Sequence, residues 1–274
     1  MSSNALVVTP LTPVMGAYVE GVDLGGPVSS QTFEEIHDAW LKHLVLFFRD
    51  QSIGVDELAR FGGLFGELHS HPQGDMSGHP GVLEIHTDEN SKVYAGHDWH
   101  SDVSCDQEPP SASILHLRVV PDCGGDTLFA NMYAAYEALS APMKSMLEGL
   151  HARHAGERTY RGYFGQQPDE MRDGTYPEFV HPVVRTHPES GRKALYVNST
   201  FTESIVEMPE AEGKTLLDFL YTHSAQPRFQ CRFQWQPNSI AVWDNRCTQH
   251  MALWDYYPQT RSGHRVTVLG DRPV

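Results

Sequence analysis

The amino-acid sequence predicts a mainly β fold with flanking helices, a β-sandwich or jelly roll rather than a βαβ array. Three observations carry that reading. Residues 228–235 alternate polar and apolar side chains without a break, the pattern of a strand with one wet and one buried face. Beyond residue 180 the signal is mostly β, with short strand-like segments such as 240–243 and 265–269. Helical spacing is confined to a few short segments, too few to place a helix between each pair of strands.

In chain order, Thr32 and Glu35 form a capping-box pair, and Phe33, Ile36, Trp40 and Leu41 follow at helical spacing, which predicts a helix over 32–42. Leu44-Val45-Leu46-Phe47-Phe48 reads as a buried strand. Leu58, Phe61 and Phe65 share one face of a second helix over 56–65, weakened by Gly62 and Gly63. A strand is predicted over 113–120, then short helices over 132–139 and 142–150 divided at Ser140. A helix over 215–221 and strands over 240–243 and 265–269 complete the pattern.

Composition narrows the function classes. The chain has 274 residues with 20 Lys+Arg against 35 Asp+Glu, a formal charge of −15. Such a surface repels nucleic acid and anionic membranes, so neither is expected as a partner. No repeat, charge block or linker divides the sequence, and one domain over 1–274 is expected. Residues 44–48 are the longest apolar run found, far short of a membrane span. No Lys or Arg precedes Lys42, which points to a cytoplasmic protein. Cys105, Cys123, Cys231 and Cys247 are scattered without a Cys-x-x-Cys pair and read as reduced thiols. Sixteen histidines are the oddity, since imidazole is the side chain most used for metal ligation.

The chemistry begins at Trp99-His100-Ser101-Asp102. On a strand, residues i and i+2 share a face, so His100 and Asp102 can present an imidazole and a carboxylate to one cation. Alone, that spacing is expected by chance in a chain so rich in histidine and acids. A second histidine, His250, stands 148 residues after Asp102 at the end of Asp244-Asn-Arg-Cys-Thr-Gln-His250. Two histidines and one carboxylate compose the facial triad of non-haem iron(II), which leaves positions open for oxygen chemistry. Arg261 and Arg265 follow by 11 and 15 residues. A guanidinium clamps a carboxylate or sulfonate through two parallel hydrogen bonds, which a lysine cannot do.

Trp99-His-Ser-Asp102, Gly124-Gly-Asp-Thr127, Trp243-Asp-Asn-Arg-Cys-Thr-Gln-His250 and Arg261-x-x-x-Arg265-Val-Thr-Val-Leu-Gly-Asp271 occur in the order and spacing of the taurine dioxygenase family, the iron(II)- and 2-oxoglutarate-dependent dioxygenases. The chain also resembles that family at Phe47-Phe-Arg-Asp-Gln51, Phe65-Gly-Glu-Leu-His69 and His181-Pro-Val-Val-Arg-Thr-His-Pro188, so the resemblance spans nearly its whole length. It implies a double-stranded β-helix, a cupin-like jelly roll. It makes His100, Asp102 and His250 the Fe(II) ligands, with 2-oxoglutarate and O2 as co-substrates. Thr127 and Arg261 would bind the distal carboxylate of 2-oxoglutarate. His71 and Arg265 would hold the anionic head of a small organic substrate, and Tyr160 and Phe201 would line its pocket.

A sulfonate such as taurine, giving sulfite and an aldehyde, is the expected substrate. An alkyl sulfate ester or an aryloxyalkanoate or other carboxylic acid is the alternative, and a homo-oligomer, dimer or tetramer, is the expected assembly. The chain departs from the taurine-using pattern at Gly74 and Gly96, where an aromatic residue and an asparagine are expected, which removes contacts to the amino end of taurine. Two other classes remain open from the residues alone. A zinc hydrolase could use the same three ligands, and a non-catalytic jelly-roll binding protein could keep the metal as a clip.

Overall fold

The computed structural model describes residues 5–70, 78–92, 96–163 and 176–274. Its frame is a seven-stranded sheet. In spatial order this contains β1 (Val7–Pro10), β2 (Ala17–Glu20), β3 (Val45–Phe48), β13 (Ser239–Asp244), β5 (Ala112–Val119), β15 (Arg261–Val268) and β4 (Val82–Thr87). Only the β2–β3 pairing is parallel; the other pairings in this sheet are antiparallel. A second sheet, β12 (Gln230–Phe233), β6 (Thr127–Asn131) and β14 (Thr248–Ala252), covers its inner face. Phe47 of the first sheet stacks on Phe233 of the second with centroids 4.0 Å apart, and Phe129 packs on both Phe47 and Trp243. Two sheets closed over one aromatic core form the expected jelly roll. Smaller sheets pair β11 (Thr202–Ile205), β7 (His151–Ala155) and β8 (Glu178–Pro182), and β9 (Val184–Thr186) with β10 (Lys193–Leu195).

Helices α1 (Ser30–His43) and α2 (Val55–Gly62) cover the outer face of the large sheet. Ile36, Trp40, Leu58 and Phe61 pack there with Leu46, Phe48, Ile240, Val242, Val266 and Val268. The sheet is therefore buried on both sides, which is why β3 and β13 read as unbroken apolar runs rather than alternations. Three short helices, α3 (Met132–Glu137), α4 (Ala141–Leu147) and α5 (Glu157–Tyr163), and one longer one, α6 (Glu210–Ser224), complete the decoration. No helix among the described residues is long and apolar enough to cross a membrane.

Most predicted elements stand where expected, with corrected ends. The cap of α1 is Ser29, whose hydroxyl accepts from the Thr32 amide, so the helix starts one turn before the Thr32–Glu35 box. Leu44 ends that helix in the left-handed region instead of opening the strand. Of the alternating stretch 228–235 only Gln230–Phe233 is strand, because Pro227 starts a 3-10 turn immediately before it. The segment 215–221 is the middle of the longer α6.

Three histidines inside this frame carry no compensating acid. Burial pushes His116 and His181 down to about 4 and His154 to about 3, from an ordinary value of 6.5. The unfolded chain takes up protons at these positions below pH 6.5 while the folded chain does not, so stability falls as pH drops from 6.5 toward 4. The urea midpoint is expected to decline steadily across that window, and His154→Gln to make the decline shallower; a midpoint independent of pH there would show that these groups do not govern it.

Candidate functional site

His250 sits at the centre of β14, opposite Phe129 of β6. His100 joins it through a single antiparallel bridge: His100 N donates to His250 O at 3.1 Å and His250 N to His100 O at 2.8 Å. Past this bridge the backbone turns, with Val103 at a φ of 46°, and Asp102 lies in the turn rather than on a strand. The strand geometry expected for His100 and Asp102 is therefore not what aligns them. The bridge sets the two imidazoles side by side, centroids 4.1 Å apart, and the turn brings the carboxylate back beneath them. The Asp102 amide, donating to Asn245 Oδ1 at 3.2 Å, fixes the return.

All three side chains are buried, and one ligand atom from each lies within 4.8 Å of the others. His100 Nε2 stands 3.8 Å from Asp102 Oδ1 and His250 Nε2 3.9 Å from Asp102 Oδ2, too far for hydrogen bonds. His100 Nδ1 is 2.8 Å from the Asp98 carbonyl, an arrangement that requires the proton on Nδ1 and leaves the Nε2 lone pair free. Burial holds His100 and, more strongly, His250 below the ordinary imidazole pKa, so both are neutral donors. Burial alone would raise the pKa of Asp102, but Arg265, His250, His100 and the Ser113 hydroxyl hold its carboxyl well below the usual range. Two neutral nitrogens and one carboxylate around a shared gap fit a divalent iron ion.

His100 and His250 line a cleft that Thr127, Trp235, Arg261 and Arg265 also line. Alternation along β15 sends Arg261 and Arg265 inward and Val266 and Val268 outward into the helix-covered core. Arg261 is 6% exposed, and its Nε donates to the Gly125 carbonyl at 3.2 Å. Gly125 has a φ of +72°, and a Cβ there would lie 2.9 Å from the Pro121 ring. Asp126, the acid that acts electrostatically on Arg261, is engaged by Arg232 at 2.6 Å. No acid among the described residues forms a salt bridge with Arg261, and burial draws its pKa below the usual arginine value. A buried cation so placed is a receptor for an incoming anion. Arg265 lies nearer the triad and donates from Nη1 to Asp102 Oδ1 at 2.7 Å.

The structure thus gathers His100, Asp102, His250, Thr127, Arg261 and Arg265. Tyr160 and Phe201 form a small buried cluster with Val103 and Cys105, and the Phe201 ring lies 6.4 Å from that of His100. His71 and Gly74 lie outside the described residues. His69 is accounted for by Asp106, 3.1 Å away. Gly96 has a φ of +83°, and a Cβ there would lie 3.2 Å from His100 Cε1, so any side chain would press on the ligand ring.

Sequence reasoning missed Trp235. Its indole N–H donates to Thr127 Oγ1 at 2.9 Å, and the Arg261 guanidinium lies 5.6 Å from its ring. Because the Thr127 oxygen accepts from the indole, its own proton is free to be given elsewhere. A tryptophan ending the alternating stretch was the available signal. Ser113 and Asn245 were missed as well.

A family model described as "Taurine catabolism dioxygenase TauD, TfdA family" matches residues 8–267. An alkylsulfatase of Acinetobacter baylyi is 34% identical over 98% of this chain and 86% of its own. An alpha-ketoglutarate-dependent sulfonate dioxygenase of Saccharomyces cerevisiae is 34% identical over 98% of this chain and 68% of its own. A crystal structure of a taurine dioxygenase from Burkholderia xenovorans superposes with a TM-score of 0.85 at 35% identity, covering 99% of this chain and 93% of that one.

Replacing one ligand leaves two weak donors, so His100→Ala is expected to abolish binding of one cobalt(II) ion in equilibrium dialysis. Stoichiometric cobalt in the variant would place the metal elsewhere.

Proposed function

Because the chain belongs to the TauD, TfdA family and is an iron(II)- and 2-oxoglutarate-dependent dioxygenase that uses O2, we propose that it hydroxylates a small anionic organic substrate, a sulfonate such as taurine, with His100, Asp102 and His250 as the metal ligands. The observation that carries this reading is the pair of inward arginines on β15, one beside the triad and one deeper in the cleft. Iron(II) bound at the triad supplies the oxidation in which 2-oxoglutarate becomes succinate and carbon dioxide and the substrate is hydroxylated.

The protein's own residues supply positioning. Arg261 and the Thr127 hydroxyl hold the distal carboxylate of 2-oxoglutarate, its indole partner Trp235 leaving the Thr127 proton available. Arg265, with His71, holds the substrate's anionic head and sets which carbon faces the metal, since misplacement by about 1 Å can cost roughly a hundredfold in rate. Tyr160 and Phe201, buried together beside the His100 ring, line the substrate's pocket. For a sulfonate, hydroxylation at the carbon bearing sulfur gives an adduct that collapses to an aldehyde and sulfite. Glycine at 74 and 96, where taurine-using members carry an aromatic residue and an asparagine, removes the contacts expected at the amino end of taurine, which favours substrates with other tails. A zinc hydrolase would leave Thr127 and the unpaired Arg261 without a task.

Similarity to an alkylsulfatase supports a second reading, the same chemistry on an alkyl sulfate ester; an aryloxyalkanoate is a third. In this reading residues 1–274 act as one cytoplasmic domain that assembles as a dimer or tetramer.

Anaerobic loading with iron(II) and 2-oxoglutarate, followed by an oxygen-uptake screen of sulfonates, sulfate esters and carboxylates, separates these substrates. Sulfite is expected; sulfate would select the ester, and uptake on carboxylates alone would overturn both. Losing a charge-assisted contact worth about 1.5–3 kcal/mol, Arg261→Ala is expected to raise the KM for 2-oxoglutarate roughly tenfold to a hundredfold. An unchanged KM would remove Arg261 from the co-substrate site.

A further inference from the structure

We propose that Ser113 and Asn245 are positioning residues that hold the Asp102 carboxylate ready for the metal. The inference rests on the reading of Asp102 as a ligand and concerns how that ligand is kept in place.

The observation is a closed ring of hydrogen bonds. The Asp102 amide donates to Asn245 Oδ1 at 3.2 Å, Asn245 Nδ2 donates to Ser113 Oγ at 2.9 Å, and Ser113 Oγ donates to Asp102 Oδ2 at 2.7 Å. The ring therefore grips Asp102 at its backbone and at its carboxylate together. Asn245 Oδ1 also accepts from the Trp243 indole at 3.1 Å, which ties the ring to the cleft wall. Ser113, Asn245 and Asp102 are all almost fully buried.

The directions of these bonds follow from the groups available. The Ser113 hydroxyl accepts from an amide that can only donate, so its single proton goes to Asp102 Oδ2. Asn245 is read as Oδ1 toward the two N–H donors and Nδ2 toward the hydroxyl; the flipped amide would face two donors with a donor. Each member thus leaves one arrangement for the next, and the carboxylate receives Ser113 on Oδ2 and Arg265 on Oδ1. Asp102 lies in a turn rather than in a ladder, so no strand pairing would otherwise fix its side-chain torsions. Ser113 itself is held by the sheet, opposite Trp243 of β13 and Thr267 of β15. The rigid strand lends its order to the irregular turn, which is how outer partners commonly tune a metal ligand.

The test is cobalt(II) affinity of the whole chain, by competition with a chelator of known strength, together with the visible absorption of the bound ion and the thermal midpoint. Ser113→Ala is expected to weaken cobalt binding about tenfold to a hundredfold and to change the absorption bands. Ser111→Ala is the control: it removes a neighbouring buried hydroxyl that donates only to the Val268 and Leu269 carbonyls, and it is expected to leave affinity and bands unchanged. An affinity in Ser113→Ala within about twofold of wild type, or an equal loss in Ser111→Ala, would overturn the inference. Should Ser113→Ala not fold, Ser113→Cys, of similar size with a weak donor, is read by the same criteria. Failure of the wild-type chain to bind cobalt would instead overturn the metal site itself.

Discussion

The carboxylate of Asp102 is the constraint on which the rest of the site depends. A negative charge with almost no solvent contact is costly unless several groups compensate it. Here the compensation comes from the Ser113 hydroxyl on β5 and the Arg265 guanidinium on β15, with the neutral rings of His100 and of His250 on β14 alongside. None of these segments could drift without stranding the charge. The two histidines do not hydrogen-bond the carboxylate, so a gap of cation size remains between the three side chains beside the Arg265–Asp102 salt bridge.

Burial of the large sheet on both faces makes this assembly possible. Outward side chains of β15 lock against α1 and α2, and inward ones have nowhere to go but the cleft. Four residues along one strand separate Arg261 and Arg265 by roughly 13 Å at about 3.3 Å per residue. Two guanidiniums on one strand line the same cleft, Arg265 hydrogen-bonded to Asp102 and Arg261 to the Gly125 carbonyl. In a chain of charge −15 these two guanidiniums are local positive charge inside the cleft.

A second group of potential ligands shows why composition of a cluster is not enough. His187, Asp244 and Cys247 are also close together and buried. There, however, the Asp244 oxygens are taken by Arg246 at 2.9 Å and 2.8 Å and by His187 at 3.0 Å, and Arg246 reaches on to Glu189 at 2.6 Å. His187 Nδ1 accepts from the Glu189 and Ser190 amides. Both nitrogens of His187 are thus matched and the group is a structural knot at the end of β13, whereas His100 Nε2 and His250 Nε2 face a gap beside Asp102.

Residue type and spacing alone pointed to the mainly β fold, to the apolar strands β3 and β13, and to His100, Asp102, His250, Arg261 and Arg265 as candidate groups for the chemistry, whereas Thr127 was singled out only by the family resemblance. These are legible because periodicity is local and because the donor chemistry of imidazole, carboxylate and guanidinium does not depend on context. Tertiary structure alone decided that Asp102 sits in a turn, that Trp235 turns the Thr127 hydroxyl, and that Ser113 and Asn245 brace the ligand. The Trp235–Thr127, Asp102–Asn245 and Asn245–Ser113 contacts join residues 108 to 143 positions apart and Ser113 reaches Asp102 across 11, and a serine or asparagine in a strand or turn looks the same in sequence whether it faces a carboxylate or water. Hydrogen bonds across sheets are specified by how strands pair, which no local pattern records.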